Sequence, residues 1–206
     1  MKPQRLTREQ SRDQTRERLL TAAHRIFQKK GYVAASVEDI AAAAGYTRGA
    51  FYSNFRSKSD LLLELLERDH DSVRADFEAI FDEGGPREQM ESMALAYYRT
   101  LFRDDEYSLL WGEAKLQAAR DAKFRVRFNQ FLHGKRLQMA EFIQRFAERA
   151  GTPLLLPAET LALGLMCLCD GVQSYYTADP QHVSADAAEA VLGGFFARVV
   201  LGRAPD

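Results

Sequence analysis

The fold is decided by residues 21–66, TAAHRIFQKKGYVAASVEDIAAAAGYTRGAFYSNFRSKSDLLLELL. Ser36 opens a Ser-x-x-Asp signal that predicts a short helix over Val37–Ala44, and Gly45 follows where a helix of this kind ends. Thr47 is the predicted cap of a second short helix. Two short helices joined by a glycine-containing turn match the spacing of a helix-turn-helix.

The second of these helices, which we expect to continue to about Asn54, has an apolar face and a polar face. Ile40, Phe51 and Phe55 are predicted to lie in the core whatever the function. The outward residues at the start of the helix are small or polar, namely Thr47, Arg48, Gly49 and Ser53. Such a surface enters a DNA major groove without steric conflict, and an arginine there reaches a phosphate or a guanine edge.

The charges of the chain are segregated along its length. The net charge is −1, but residues 1–60 contain 12 Lys and Arg against 6 Asp and Glu, a balance of +6. The remainder contains 16 against 23, a balance of −7. Any single charged cluster is explained well enough by a solvated helix face. A basic N-terminal third on an acidic body, in contrast, is typical of a protein that presents one end to a polyanion.

The rest of the chain also has the periodicity of helices, without runs of alternating β-branched residues. We therefore predict an all-α protein of about nine helices, with an N-terminal three-helix domain over residues 1–56 and a larger helical domain over residues 57–206. The predicted helices outside the helix-turn-helix are 11–30, 57–81, 86–102, 105–120, 122–150, 158–176 and 185–201.

The last two predicted helices are apolar on every side, which predicts that a partner chain covers them. Gly193 and Gly194 in the final helix allow close backbone approach where helices cross. We therefore expect a two-fold homodimer with a four-helix interface. The alternative is a fully buried hairpin in the core of a monomer.

Several function classes have little support in the sequence. The four histidines are scattered and form no HExxH pattern, and no glycine-rich phosphate loop or Cys-His nucleophile is present, so we expect no enzyme, no cofactor and no metal site. The N-terminus lacks the apolar core of a secretory signal, and no apolar run approaches the ~18 residues that a membrane helix needs. We therefore predict a cytoplasmic protein without a membrane partner.

Gly31 to Leu61 fill nearly every position of a known signature, and this stretch resembles the TetR/AcrR family of bacterial regulators. The resemblance implies that phosphates are contacted by Ser36, Thr47, Tyr52, Asn54 and Lys58. It also implies that bases are faced by Arg48, Gly49 and Ser53. Many members have an aromatic residue or histidine where this chain has Ser53 and Asn54, so the operator sequence cannot be transferred. Tyr52 has the alternative role of a half-buried packing residue.

The resemblance further implies that residues 57–206 form a ligand-binding and dimerisation domain. The expected function is a repressor that a small hydrophobic or amphipathic effector releases from a palindromic double-stranded DNA operator. Aromatic residues at helical spacing are usually core, but the candidates for a cavity wall are Phe102, Tyr107, Trp111, Phe128, Met166 and Tyr175. Glu113 is expected either to orient the ligand or to be an exposed helix charge. An alternative for the whole domain is that it binds another protein.

Overall fold

The computed structural model describes residues 7–83, 87–100, 105–151 and 153–202. Within these ranges the chain forms nine helices and no strand, which confirms the predicted all-α class. The helices are α1 (Arg8–Lys30), α2 (Val37–Ala43), α3 (Arg48–Tyr52), α4 (Lys58–Glu83), α5 (Arg87–Thr100), α6 (Asp105–Arg120), α7 (Ala122–Ala150), α8 (Ala158–Ala178) and α9 (Ala185–Val199).

Side-chain caps explain where the first helices begin. Helix α1 starts at Arg8, three residues before the predicted start, because Thr7 and Gln10 form a reciprocal capping box. The same arrangement of Ser36 and Asp39 starts α2, as the sequence predicted. Thr47 caps α3, but that helix ends at Tyr52, two residues before the expected end.

The chain divides into two compact units, which we describe separately. The first unit comprises residues 1–69 and 109–128, and the second comprises residues 70–108 and 129–206. Helices α4, α6 and α7 each contribute residues to both units. The expected boundary between residues 56 and 57 divides the chain by function rather than by packing, and it stays a prediction.

The first unit packs α1, α2 and α3 around a small apolar core. Leu19, Ile40 and Phe51 are completely buried in it, and the ring of Phe55 lies 5.7 Å from that of Phe51. Gly45 terminates α2 with φ of +77°. A side chain in this left-handed region is strained, so glycine is suited to the turn between the two helices.

The second unit has its core where α5, α7, α8 and α9 meet. Tyr98 is buried there, its ring centroid lies 5.0 Å from that of Phe196, and its hydroxyl donates to the carbonyl of Leu165 at 3.1 Å. Burial raises the pKa of Tyr98 far above its usual range. Gly193 serves packing within the chain, since a Cβ there would lie 2.4 Å from Nε of Arg99.

Helices α8 and α9 keep several large apolar side chains exposed. Leu163, Tyr175, Val191 and Phe195 have exposed fractions of 48, 69, 50 and 39%. Exposed apolar side chains on neighbouring turns of long helices are typical of an interface. Among the described helices, none has a stretch apolar and long enough for a bilayer crossing.

Candidate nucleic-acid interface

Helix α3 presents a small, exposed, polar surface. Thr47, Arg48, Gly49 and Ser53 are all exposed, and Tyr52 has an exposed fraction of 48%. Directly beneath them, Phe51 is fully buried and packs edge-on against Tyr52 at 5.4 Å. The helix is therefore anchored by one face and leaves the other available to a large partner.

Arg48 is held by neighbours on the same surface. Its guanidinium makes an ion pair of 2.9 Å with Glu38 of α2 and lies 5.5 Å from the ring centroid of Tyr52. Both ends of the ion pair are more than half exposed, so water and salt screen it strongly. A phosphate or a guanine base is therefore able to replace Glu38 as the partner of Arg48.

Ser36 uses its hydrogen-bonding groups within the capping box. Its Oγ accepts from the backbone N–H of Asp39 at 3.0 Å and donates to Oδ2 of Asp39 at 2.8 Å. The hydrogen bond from Lys30, followed by those from Ser36, holds the pKa of Asp39 far below its usual range. The hydroxyl of Ser36 thus stabilises the start of α2 in the free protein, and its contact with phosphate stays a prediction.

Asn54 lies just beyond α3 and is held from two sides. Its side-chain Nδ2 donates to the backbone carbonyl of Ala50 at 2.9 Å, and its backbone carbonyl accepts from Nη1 of Arg16 at 2.7 Å. The neighbouring Ser53 hydroxyl donates to the carbonyl of Gly49 at 2.9 Å. These bonds fix the end of α3 in the free protein, and the predicted contact of Asn54 with phosphate stays a prediction.

Lys58, at the start of α4, points its ammonium into the loop between α1 and α2. Nζ donates to the carbonyls of Tyr32 and Ala35, the latter at 2.6 Å, and lies 4.3 Å from the centroid of the Tyr32 ring. Partial burial lowers the pKa of Lys58. The ammonium therefore has a structural role in the free protein, and the predicted phosphate contact remains a prediction.

The spacing of residues in the sequence did not predict that Arg16 and Glu113 position this surface. Arg16 of α1 pairs with both carboxylate oxygens of Glu64 and lies over the ring of Phe55 at 4.3 Å. Glu113 of α6 accepts a hydrogen bond of 3.0 Å from the backbone N–H of Tyr32. Both join residues far apart in the sequence, and local periodicity gives no signal for such pairs.

The predicted ligand residues are divided between the two units. Trp111 and Phe128 are buried in the first unit with ring centroids 6.3 Å apart, and Nε1 of Trp111 donates to Asp69 at 2.9 Å. The second unit contains Tyr107, the partly buried Met166 and the exposed Tyr175. Phe102 lies outside the described residues. The role of these residues stays a prediction.

The second unit has a cavity of about 160 Å³ between α4 and α7. Its wall combines apolar Met139 and Phe142 with polar groups that include His70, Lys135 and Gln138. Nε2 of His70 lies 2.6 Å from Oε1 of Gln138, and its buried Nδ1 has no hydrogen-bond partner among the described residues. Burial, aided by the positive charges of Lys135 and Arg74, lowers the pKa of His70. None of the five described ligand candidates lines this cavity.

Two family models match the chain. Residues 19–65 match the model of bacterial regulatory proteins of the TetR family. Residues 86–201, more than half of the chain, match the model of the C-terminal part of BetI-type transcriptional repressors. The first match covers α2, α3 and the second half of α1, and therefore the exposed surface of α3.

Known proteins show the same similarity. The chain is 36% identical over 103 residues, 48% of each protein, to the HTH-type transcriptional regulator TtgR of Pseudomonas putida. It spans from about a fifth to about half of the length of the curated relatives that it matches.

Two solved structures have the same fold. A TetR-family regulator from Rhodococcus sp. has a TM-score of 0.75 at 21% identity and covers 91% of this chain and 99% of its own. A transcriptional regulator from Saccharomonospora viridis, in complex with choline, has a TM-score of 0.71 at 22% identity, with coverages of 89 and 96%.

Proposed function

This chain belongs to the TetR family of bacterial regulatory proteins, and from that premise we propose that it is a transcriptional repressor acting at a palindromic DNA operator. In this proposal a homodimer binds the operator, and a small molecule bound in the second unit releases it. The observation that carries the proposal is the exposed polar face of α3, supported from below by the buried ring of Phe51.

The composition of the face supports contact with duplex DNA. Arg48 provides a cation whose contacts with Glu38 and Tyr52 are exposed, so that DNA is able to replace them. Thr47 and Tyr52 provide hydroxyls suited to phosphate oxygens. Gly49 and Ser53 have small side chains, which lets the helix approach base edges closely. We assign phosphate contacts chiefly to Thr47 and Tyr52, and base contacts to Arg48, Gly49 and Ser53.

Helices α8 and α9 support a homodimer. Their exposed apolar side chains, among them Leu163, Val191 and Phe195, favour an interface over a buried monomeric hairpin, in which such side chains would be covered. A two-fold dimer presents two copies of α3, and two copies read two half-sites related by symmetry. The palindromic operator follows from this arrangement.

The cavity between α4 and α7 supports a small-molecule effector rather than a protein partner. A ligand with an apolar body contacts Met139 and Phe142, and a polar group on that ligand satisfies the buried Nδ1 of His70. The similarly folded Saccharomonospora viridis regulator holds choline, so this fold accommodates small ligands. The effector of this chain is therefore proposed to be amphipathic.

Repression and release follow as a shift between two populations. Ligand that binds one spacing of the recognition helices better than the other moves the dimer away from the spacing that fits DNA. The relatives named above are regulators of transcription, which disfavours the enzyme alternative. Binding to the chromosome places the protein in the cytoplasm.

The experiment is selection of DNA fragments by the full-length protein. Purified chain is mixed with sheared genomic DNA of its own organism in low salt, and the retained fragments are sequenced. The proposal predicts enrichment of a sequence with two-fold symmetry, which the Arg48→Ala variant recovers less strongly or with altered preference. Recovery of all fragments alike, or of none, would contradict it.

A further inference from the structure

The loop between α1 and α2, residues 31–35, is held between two opposite charges within the first unit. On one side, Oε1 of Glu113 on α6 accepts from the backbone N–H of Tyr32 at 3.0 Å. On the other side, Nζ of Lys58 donates to the carbonyls of Tyr32 and Ala35. The loop leads directly into Ser36, the cap of α2, so its position sets where the helix-turn-helix begins.

Gly31 makes the approach of Glu113 possible. Its φ of +76° belongs to a region that side chains rarely adopt, and a Cβ at this position would lie 3.0 Å from Oε1 of Glu113. The same glycine donates its N–H to the carbonyl of Phe27 at 2.8 Å and so terminates α1. The carboxylate therefore contacts the loop at the point where the chain leaves α1 and turns towards α2.

The side chain of Tyr32 is fixed as firmly as its backbone. It is buried, its hydroxyl lies 2.7 Å from Oγ of Ser59, and its ring lies under the ammonium of Lys58. The charge of Glu113 also favours the protonated form of Lys58 and raises its pKa against the effect of burial. Removal of Glu113 is therefore felt on both sides of the loop.

We infer that Glu113 is a positioning residue for DNA binding, whose carboxylate holds Tyr32 and thereby sets the place of α2 and α3. The inference rests on the proposed function, since it concerns how the proposed DNA-binding helices are held in place. It gives Glu113 a role different from ligand orientation and from an exposed helix charge.

The test compares variants of the full-length protein. Glu113→Ala removes the acceptor, Glu113→Gln keeps an acceptor oxygen in the same place, and Leu116→Ala changes an exposed side chain of the same helix. Three quantities are measured: the hydrogen-exchange rate of the Tyr32 amide, the affinity for a duplex selected by the wild-type protein, and the midpoint of thermal unfolding. If Glu113→Ala does not fold, Glu113→Asp takes its place, because its shorter side chain also withdraws the oxygen.

We expect Glu113→Ala to accelerate exchange of the Tyr32 amide at least about tenfold and to weaken binding to the selected duplex about 5- to 20-fold. Glu113→Gln should remain within about threefold of the wild type in both quantities, and Leu116→Ala should leave both unchanged.

The inference is overturned if Glu113→Ala matches the wild type in exchange and affinity. It is equally overturned if only the unfolding midpoint falls while the folded protein binds normally. Absence of DNA binding by the wild type would instead refute the proposed function, so the two failures are distinguishable.

Discussion

Nη1 of Arg16 donates a hydrogen bond of 2.7 Å to the backbone carbonyl oxygen of Asn54, and so ties α1 to the second residue after α3. The same guanidinium pairs with Glu64 of α4 and lies over the ring of Phe55. One side chain thus fixes α1, the end of α3 and the start of α4 relative to one another. The exposed surface of α3 depends on this support.

Replacing Arg16 by Ala is expected to lower the free energy of unfolding by about 1–3 kcal/mol, because a partly buried charged donor leaves Glu64 and the Asn54 carbonyl without it. Chemical denaturation of the full-length protein measures this. Arg18→Ala on the exposed side of the same helix is the control and should change the free energy by less than about 0.5 kcal/mol. Equal effects of the two substitutions would refute the assigned role of Arg16.

Substitutions of Lys58 and Tyr52 should both weaken DNA binding but should differ in their effect on stability. Lys58→Met removes an ammonium from the carbonyls of Tyr32 and Ala35, so we expect about 1–3 kcal/mol lower stability as well as weaker DNA binding. Tyr52→Phe removes an exposed hydroxyl, so it should leave stability within about 0.5 kcal/mol and weaken binding to all duplexes alike by about 3- to 10-fold. Urea titrations and fluorescence anisotropy give the two quantities. A stability loss for Tyr52→Phe equal to that for Lys58→Met would contradict this division.

Under the proposed function, we expect Glu38 to compete with DNA for Arg48. Glu38→Gln removes a negative charge from the surface and the ion pair that holds the guanidinium, so we expect affinity for DNA to rise, most clearly at low salt. Because the pair is exposed, stability should change little. Anisotropy titrations at about 50 and about 200 mM salt test this, because electrostatic contacts with DNA weaken as salt rises. An unchanged or lowered affinity would show that Glu38 does not restrain Arg48.

We expect the partly buried His70 to lower the free energy of unfolding in mild acid. Burial, with help from Lys135 and Arg74, places the pKa of His70 in the folded chain below its value in the unfolded chain, which is about 6.5. The unfolded state therefore takes up a proton first, and the folded state loses stability as pH falls through about 6.5 towards the folded pKa. The free energy of unfolding, measured by denaturation between about pH 5 and 8, should fall more steeply with decreasing pH in the wild type than in His70→Gln. The same pH dependence in both proteins would count against this role.

Local signals in the sequence predicted most of the helices. The bounds of α6 and α7 are those expected, and Ser36 and Thr47 cap the helices that their positions predicted. Caps and apolar spacing act over a few residues, so the sequence displays them directly. The family resemblance, carried by residues 31–61, was confirmed by the TetR-family model, which matches residues 19–65.

Long-range pairs were beyond such signals. The contacts between Glu113 and Tyr32 and between Arg16 and Asn54 depend on how helices pack, which the spacing of residues along the chain does not encode. Aromatic residues raise the same difficulty, because Trp111 in a core and an aromatic residue in a cavity wall have the same helical spacing.

Hydroxyl-radical footprinting of the selected duplex tests the central claim most directly. If the exposed face of α3 binds DNA twice in each symmetric dimer, the wild type protects two backbone segments whose centres lie about one helical turn, ~34 Å, apart. A variant with both Arg48→Ala and Tyr52→Phe should lose both protections. A single protected segment, or protection that survives this double substitution, would contradict the account.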